Sequence, residues 1–158
     1  MGNNKYVKIH SLLRMFAALL AIIVFISMFA AKQVVHSEYS NVFFDFRNGA
    51  FFGDEVSKGN VVGFFAYLLV FIGGLAGLAF VFIDELIGKD LTRTLSFVVG
   101  GVMVLGAILI LLFAPIFKAI NDLPNSFHTG AGPIVFGILA LLAGAANVVS
   151  PVLEDKGY

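Results

Sequence analysis

The sequence predicts an all-α integral membrane protein, a four-transmembrane-helix bundle with a possible small β-hairpin in the first extracellular loop. Composition is the first reason. The 158 residues are 59% hydrophobic and 13% charged, which is more apolar surface than a soluble domain of this size could bury. The second reason is that four runs, free of charge away from their ends, are long enough to cross the roughly 30 Å hydrocarbon core of a bilayer. In three of them, small residues share one helical face, as helix packing in membranes requires.

The clearest of these runs is Val61–Ile83, which contains no charged residue. As a helix it would be about 35 Å long. Its small residues fall on one narrow face and its large ones, among them Phe64 and Leu75, on the opposite face. Such a helix can pack against other helices on one side and against lipid on the other.

The remaining spans are expected at about 12–31, 95–114 and 133–149, within a single membrane domain covering 1–158. A basic stretch precedes the first span, so a cleaved signal peptide is the competing interpretation. The long uncharged run and the lack of a small-residue cleavage site favour a retained helix. The third span should stop near Pro115, with Phe113 facing outward. The residues expected at helix–helix contacts are Gly63, Ala66, Gly73, Gly77, Gly100, Ala107, Gly137, Ala140, Gly144 and Asn147.

Two outer loops, 32–60 and 115–132, connect the spans. In the first, Asn48-Gly49 lies between apolar runs, which is the pattern of a type I′ hairpin turn. That hairpin would set Phe46 opposite Phe51. An irregular loop with its Phe side chains in the membrane interface is the equal alternative.

Orientation follows from the distribution of Lys and Arg. Six lie on the side of both termini and of the 84–94 connector, and four lie on the other side. The excess predicts cytoplasmic N- and C-termini. The expected location is the cell (plasma) membrane.

The sequence offers few groups for chemistry. It has no cysteine and a formal net charge of zero, which excludes thiolate sites and gives no electrostatic case for nucleic acid. His36, Glu38 and His128 could contribute to a metal site, but solvated loop residues are the favoured interpretation. Asn147 is interpreted as an interhelical hydrogen-bonding residue. No enzyme activity, cofactor or metal is expected.

The layout is similar in topology to four-span families such as the claudins, whose larger first extracellular segment carries β-structure. The Trp and paired Cys of the claudin signature are absent, since the chain contains neither residue type. The chain is therefore not identified as a member of that family.

We expect a non-enzymatic protein that acts by association, as an accessory subunit or a self-assembling structural component. Besides the lipid bilayer, its partners would be further copies of itself or a partner membrane subunit. The alternative is an oligomeric channel. Segment 41–54 contains more large apolar residues than a short loop usually shows to water. The association surface predicted there consists of Phe43, Phe44, Phe46, Phe51 and Phe52.

Overall fold

A computed structural model describes residues 8–156, except for the side chains of Asp84 and Glu85. In this part of the chain the helices are α1 (Ile9–Ser27), α2 (Val61–Ile87), α3 (Lys89–Leu111), α4 (Phe113–Asn121) and α5 (Ala131–Asp155). The strands are β1 (Val34–His36), β2 (Phe43–Phe44) and β3 (Phe127–Thr129).

The four long helices, α1, α2, α3 and α5, pack side by side as a bundle, and each is long and apolar enough to cross a membrane. Helix α2 packs between α1 and α3, and α5 closes the ring by packing against α3 and α1. The four long apolar helices that the sequence predicts are therefore present.

Most helix ends differ from the sequence-based bounds: α1 runs from Ile9 to Ser27 where 12–31 was expected, and α3 runs from Lys89 to Leu111 where 95–114 was expected. Helix α2 begins where Asn60 accepts a hydrogen bond from the Gly63 amide (3.0 Å), and it continues four residues past its predicted end to Ile87. Helix α5 was expected to stop at residue 149, yet it passes through the buried Pro151 to Asp155. A proline inside a helix removes one backbone hydrogen bond, and burial against the other helices outweighs that loss here.

The third span was expected to continue almost to Pro115 with Phe113 facing outward, and the expected position of Phe113 is wrong. Helix α3 ends at Leu111, and Leu112 (φ −85°, ψ 8°) interrupts the helical path before α4 begins. Pro115 then lies in the first turn of α4, where a missing amide hydrogen costs nothing. The interruption changes the helical phase, so Phe113, which was expected to face outward, is fully buried.

A three-stranded antiparallel sheet with the order β2-β1-β3 covers one end of the bundle. The predicted hairpin at Asn48-Gly49 is wrong, because Phe43 pairs with Val35 and residues 46–52 form turns. Gly49 has a positive φ of 72° but Asn48 does not, whereas a type I′ turn requires both. The sheet instead joins the first connection to the second, with His36 opposite Phe127.

Small residues line the contacts between helices. All ten residues expected at helix–helix contacts are buried. Helices α3 and α5 approach closely, and a Cβ added to Gly100 would lie 2.9 Å from the Gly144 carbonyl oxygen. A Cβ on Gly144 would lie 3.1 Å from the Gly100 carbonyl oxygen. These two backbones therefore touch with no room for a side chain.

Candidate functional site

The first connection, residues 28–60, packs against the bundle through aromatic rings. These contacts lie at the end of the bundle that carries the strands, which we call the sheet end. Phe51 is fully buried there. Its ring centroid lies 5.0 Å from that of Phe113 and 5.8 Å from that of Tyr67, both edge-on. Burying a ring of this size is worth about 1.5–3 kcal/mol, and edge-to-face pairs add further stabilisation. Phe51 is thus part of the core.

The other members of the predicted association surface divide between the interior and the outside. Phe44 is half-buried with its ring 4.8 Å from that of Phe117. Phe46 is half-buried with its ring 4.6 Å from that of Phe29. Phe43, also half-buried, lies beneath the Lys32 ammonium, and Phe52 is 58% exposed. The five side chains therefore do not form one exposed face.

Three other apolar side chains, Tyr39, Val42 and Val56, are exposed on turns of the sheet end, and we call them the tip residues. Tyr39 and Val42 lie in the connection between β1 and β2 and are 57% and 39% exposed. Val56 is 89% exposed. Sequence reasoning missed Tyr39 and Val56, which stand singly among polar residues; an isolated apolar residue in a polar stretch was the available signal.

The loop that carries Val56 is held by hydrogen bonds at both ends. The Asp54 carboxylate accepts the amide hydrogens of Val56 (2.9 Å) and Ser57 (2.7 Å). These bonds favour the charged form and hold the pKa of Asp54 below its ordinary value. The Asn121 side chain then bonds both backbone groups of Lys58, at 2.6 and 2.8 Å. Val56 is therefore presented on a defined turn.

A buried polar pair links the sheet to the bundle. The Tyr67 hydroxyl donates to the Gln33 side-chain oxygen (3.0 Å), and both residues are fully buried. The Gln33 amide nitrogen donates in turn to the Ala31 carbonyl (3.2 Å). Buried polar groups are costly when they have no hydrogen-bond partner. This pair therefore favours the one position of the sheet relative to α2 in which Gln33 and Tyr67 meet.

A second group of polar side chains lies inside the opposite end of the bundle. Arg14 is fully buried; its Nη2 donates to the Ser96 hydroxyl (3.3 Å) and lies 3.5 Å from a Glu154 carboxylate oxygen. The Ser150 hydroxyl donates to the His10 carbonyl (2.9 Å). We call these five residues the polar cluster. It joins α1, α3 and α5.

The polar cluster was not predicted from the sequence, in which Arg14 stands at the edge of the first span. A charge inside a helix bundle is costly and is often functional. Here the guanidinium meets a carboxylate and a hydroxyl on two other helices, so the arrangement can act as an ionic link that fixes the relative positions of three helices. The continuation of α5 past Pro151 is what brings Glu154 to Arg14.

Asn147 lies nearer the middle of the bundle than the polar cluster. Its amide nitrogen donates to the Met103 sulfur (3.0 Å), which links α5 to α3. Its side-chain oxygen packs against Gly77 and has no hydrogen-bond partner among residues 8–156. The residue therefore contacts both α2 and α3 from α5.

The residues considered for a metal site are not brought together. His36 pairs with Phe127 and His128 with Val35, so the two histidines occupy successive positions of the ladder and point to opposite faces of the sheet. His36 Nδ1 accepts the amide hydrogen of Glu38 (3.2 Å). In the part of the chain that the structure describes, no three His, Asp or Glu side chains are grouped as metal ligands.

Comparison with known proteins gives no family for this chain. No protein-family model matches it, and a search of curated proteins gives no match either.

Proposed function

We propose that the chain is a multi-pass protein of the cell membrane that acts by association and not by catalysis, as an accessory subunit or a self-assembling component. Four helices of spanning length and apolar character support membrane insertion. The excess of Lys and Arg near both termini and the 84–94 connector supports placing these on the cytoplasmic side. The sheet end then faces outward.

The observation that carries the proposal is the construction of the sheet end. Both outer connections join one sheet, and hydrogen bonds from Asp54 and Asn121 hold the loop of Val56. Apolar side chains exposed on such a frame lose little conformational freedom when a partner covers them.

The proposed association surface is therefore moved from the five Phe side chains to the tip residues Tyr39, Val42 and Val56. Phe44 and Phe51 pack against the bundle, so replacing them would test stability and not association. Phe52 stays exposed beside Phe64, 4.9 Å between ring centroids, and we assign it to the membrane interface.

The channel alternative receives less support. Val70, Met103, Ala107 and Ile110 are fully buried at mid-bundle, so a pore through one chain would have to displace them. A pore would have to form between copies. A closed ring of identical copies is the result that would favour it.

The experiment is the triple variant Tyr39→Ser, Val42→Ser, Val56→Ser in the full chain, purified in a mild detergent. We expect its melting temperature to stay within about 6 °C of the parent, because three exposed positions change stability by about 0.5 kcal/mol each at most, and each kcal/mol corresponds to about 2–4 °C. Native mass measurement should show that it has lost the stoichiometric partner, or the oligomeric state, of the parent.

The matched control replaces polar residues of the same turn, Ser37→Ala, Ser40→Ala and Asn41→Ala, and should keep the parental assembly. The proposal fails if the triple Ser variant keeps that assembly too. It also fails if the parent itself is a monomer that purifies with no partner of defined stoichiometry.

A further inference from the structure

An apolar groove of about 540 Å³ opens at the sheet end, beside the end of α1 and the start of α5. Its volume is in the range of small-molecule sites, roughly 300–1,000 Å³. The residues that line it are Ala31, Lys32, Val35, Ala131, Gly132, Val135 and Phe136. Six of these seven carry no charge or polar side-chain group, so a fully polar ligand would leave most of its groups unpaired.

The seventh residue, Lys32, places a cation on the rim. Its Nζ lies 3.9 Å from the centroid of the Phe43 ring and donates to the Ser40 carbonyl (3.4 Å). These two contacts hold the side chain, and an ammonium group has three donors, so it can still bind an anion.

The surroundings of the groove keep that positive charge uncompensated. Among residues 8–156, the ion pairs join Arg14 to Glu154 and Arg93 to Asp155, and neither includes Lys32. The first turn of α5 has no acidic residue. That turn lies against the Lys32 backbone, since a Cβ on Gly132 would be 3.2 Å from the Lys32 carbonyl oxygen. The positive end of the α5 dipole adds to the same potential.

We propose that this groove binds one anionic phospholipid from the leaflet at the sheet end. Its acyl chain would lie along Ala131, Val135 and Phe136, and its phosphate would meet the Lys32 ammonium. An apolar trough with one cation on its rim matches an amphiphile with an apolar tail and an anionic head. Val135, which lines the groove, is 49% exposed, so the groove opens onto the outer face of α5. The inference rests on the membrane insertion proposed above, and not on the association of the tip residues.

The test compares phosphatidylglycerol with phosphatidylcholine added to the detergent-purified full chain, with native mass measurement of the lipid retained. The parent should retain phosphatidylglycerol about fivefold more than phosphatidylcholine, the effect of one lysine near an anionic lipid. Lys32→Gln should bring this ratio close to one without changing the melting temperature in lipid-free detergent. The control is Lys58→Gln, an exposed lysine of the same connection that does not line the groove, and it should keep the parental ratio.

A second pair of variants tests the acyl-chain trough. Ala131→Trp fills the groove from an exposed position and should reduce retention of both lipids. Val149→Trp adds the same ring to the exposed face of α5 near its other end, away from the groove, and should not. Equal retention of the two lipids by the parent, or equal effects of Lys32→Gln and Lys58→Gln, would overturn the proposal. So would a lipid-free dimer that Ala131→Trp converts to a monomer, because a second copy would then fill the groove. Loss of partners in the tip variant bears on the proposed function alone.

Discussion

Gly100→Leu is expected to lower the melting temperature of the detergent-solubilised protein by roughly 6–12 °C, whereas Gly101→Leu should leave it unchanged or raise it. The first value corresponds to about 3 kcal/mol, the upper part of the usual cost of overpacking, converted at about 2–4 °C per kcal/mol. A Cβ on Gly100 would lie 2.6 Å from a Val148 methyl group and 2.9 Å from the Gly144 carbonyl oxygen. Backbone cannot move aside as a flexible side chain can.

Gly101 is a matched control because it is the next residue of the same helix. A Cβ there would meet nothing within 4 Å. Leucine has the better helix propensity, worth up to about 1 kcal/mol over glycine. Thermal unfolding followed by circular dichroism measures both variants. Similar losses in the two would show that α3 and α5 do not cross at Gly100 and Gly144.

Glu154→Gln is the second substitution expected to have a large effect, a loss of about 3 kcal/mol of stability. It removes the carboxylate that faces the buried Arg14 guanidinium at 3.5 Å. Removing one member of a buried ion pair costs about 3–5 kcal/mol, and the lower value applies because the Glu154 side chain is 14% exposed.

The neighbouring residue supplies the control. Asp155 pairs with Arg93 at 2.6 Å, but both side chains are about half exposed, and such surface pairs are worth about 0–1 kcal/mol. Asp155→Asn should therefore have little effect on the melting temperature. The double variant Arg14→Met, Glu154→Met should recover much of the loss, because it leaves no buried charge. Equal effects of Glu154→Gln and Asp155→Asn would mean that the polar cluster does not link the helices.

The features that could be predicted from the sequence depend on the spacing of residues that are close together in the chain. Runs without charge set the four long helices, and the 3.6-residue period placed Gly100 and Gly144 on faces that are buried. Gly88 separates α2 from α3 with a positive φ of 86°, and glycine is the residue that most often follows a helix end in this conformation. Each of these inferences needs only residues within a few helical turns of one another.

The features that sequence could not predict depend on distant partners. Strand β1 pairs on one side with β2 and on the other with β3, some ninety residues along the chain. No local turn signal specifies that pairing, so the strong Asn48-Gly49 pattern pointed to the wrong hairpin. Phe51 would have been a strand residue there, but the bundle offers it a buried site.

Burial of Arg14 was missed for a related reason. Its partner Glu154 lies 140 positions along the chain and reaches it only because α5 continues through Pro151. Because helix α5 was predicted to end before Pro151, Glu154 was not expected to lie on that helix, and its contact with Arg14 could not be predicted.

The proposed membrane topology is tested most directly by finding on which side of the membrane the connections before and after α2 lie. Reporter fusions are made after Lys58 and after Gly88, each with alkaline phosphatase, active only outside the cytoplasm, and with a fluorescent protein, bright only inside it. We expect phosphatase activity at Lys58 and fluorescence at Gly88, since α2 lies between the two sites. The same reporter signal at both positions would contradict a membrane-spanning α2 and an outward-facing sheet end.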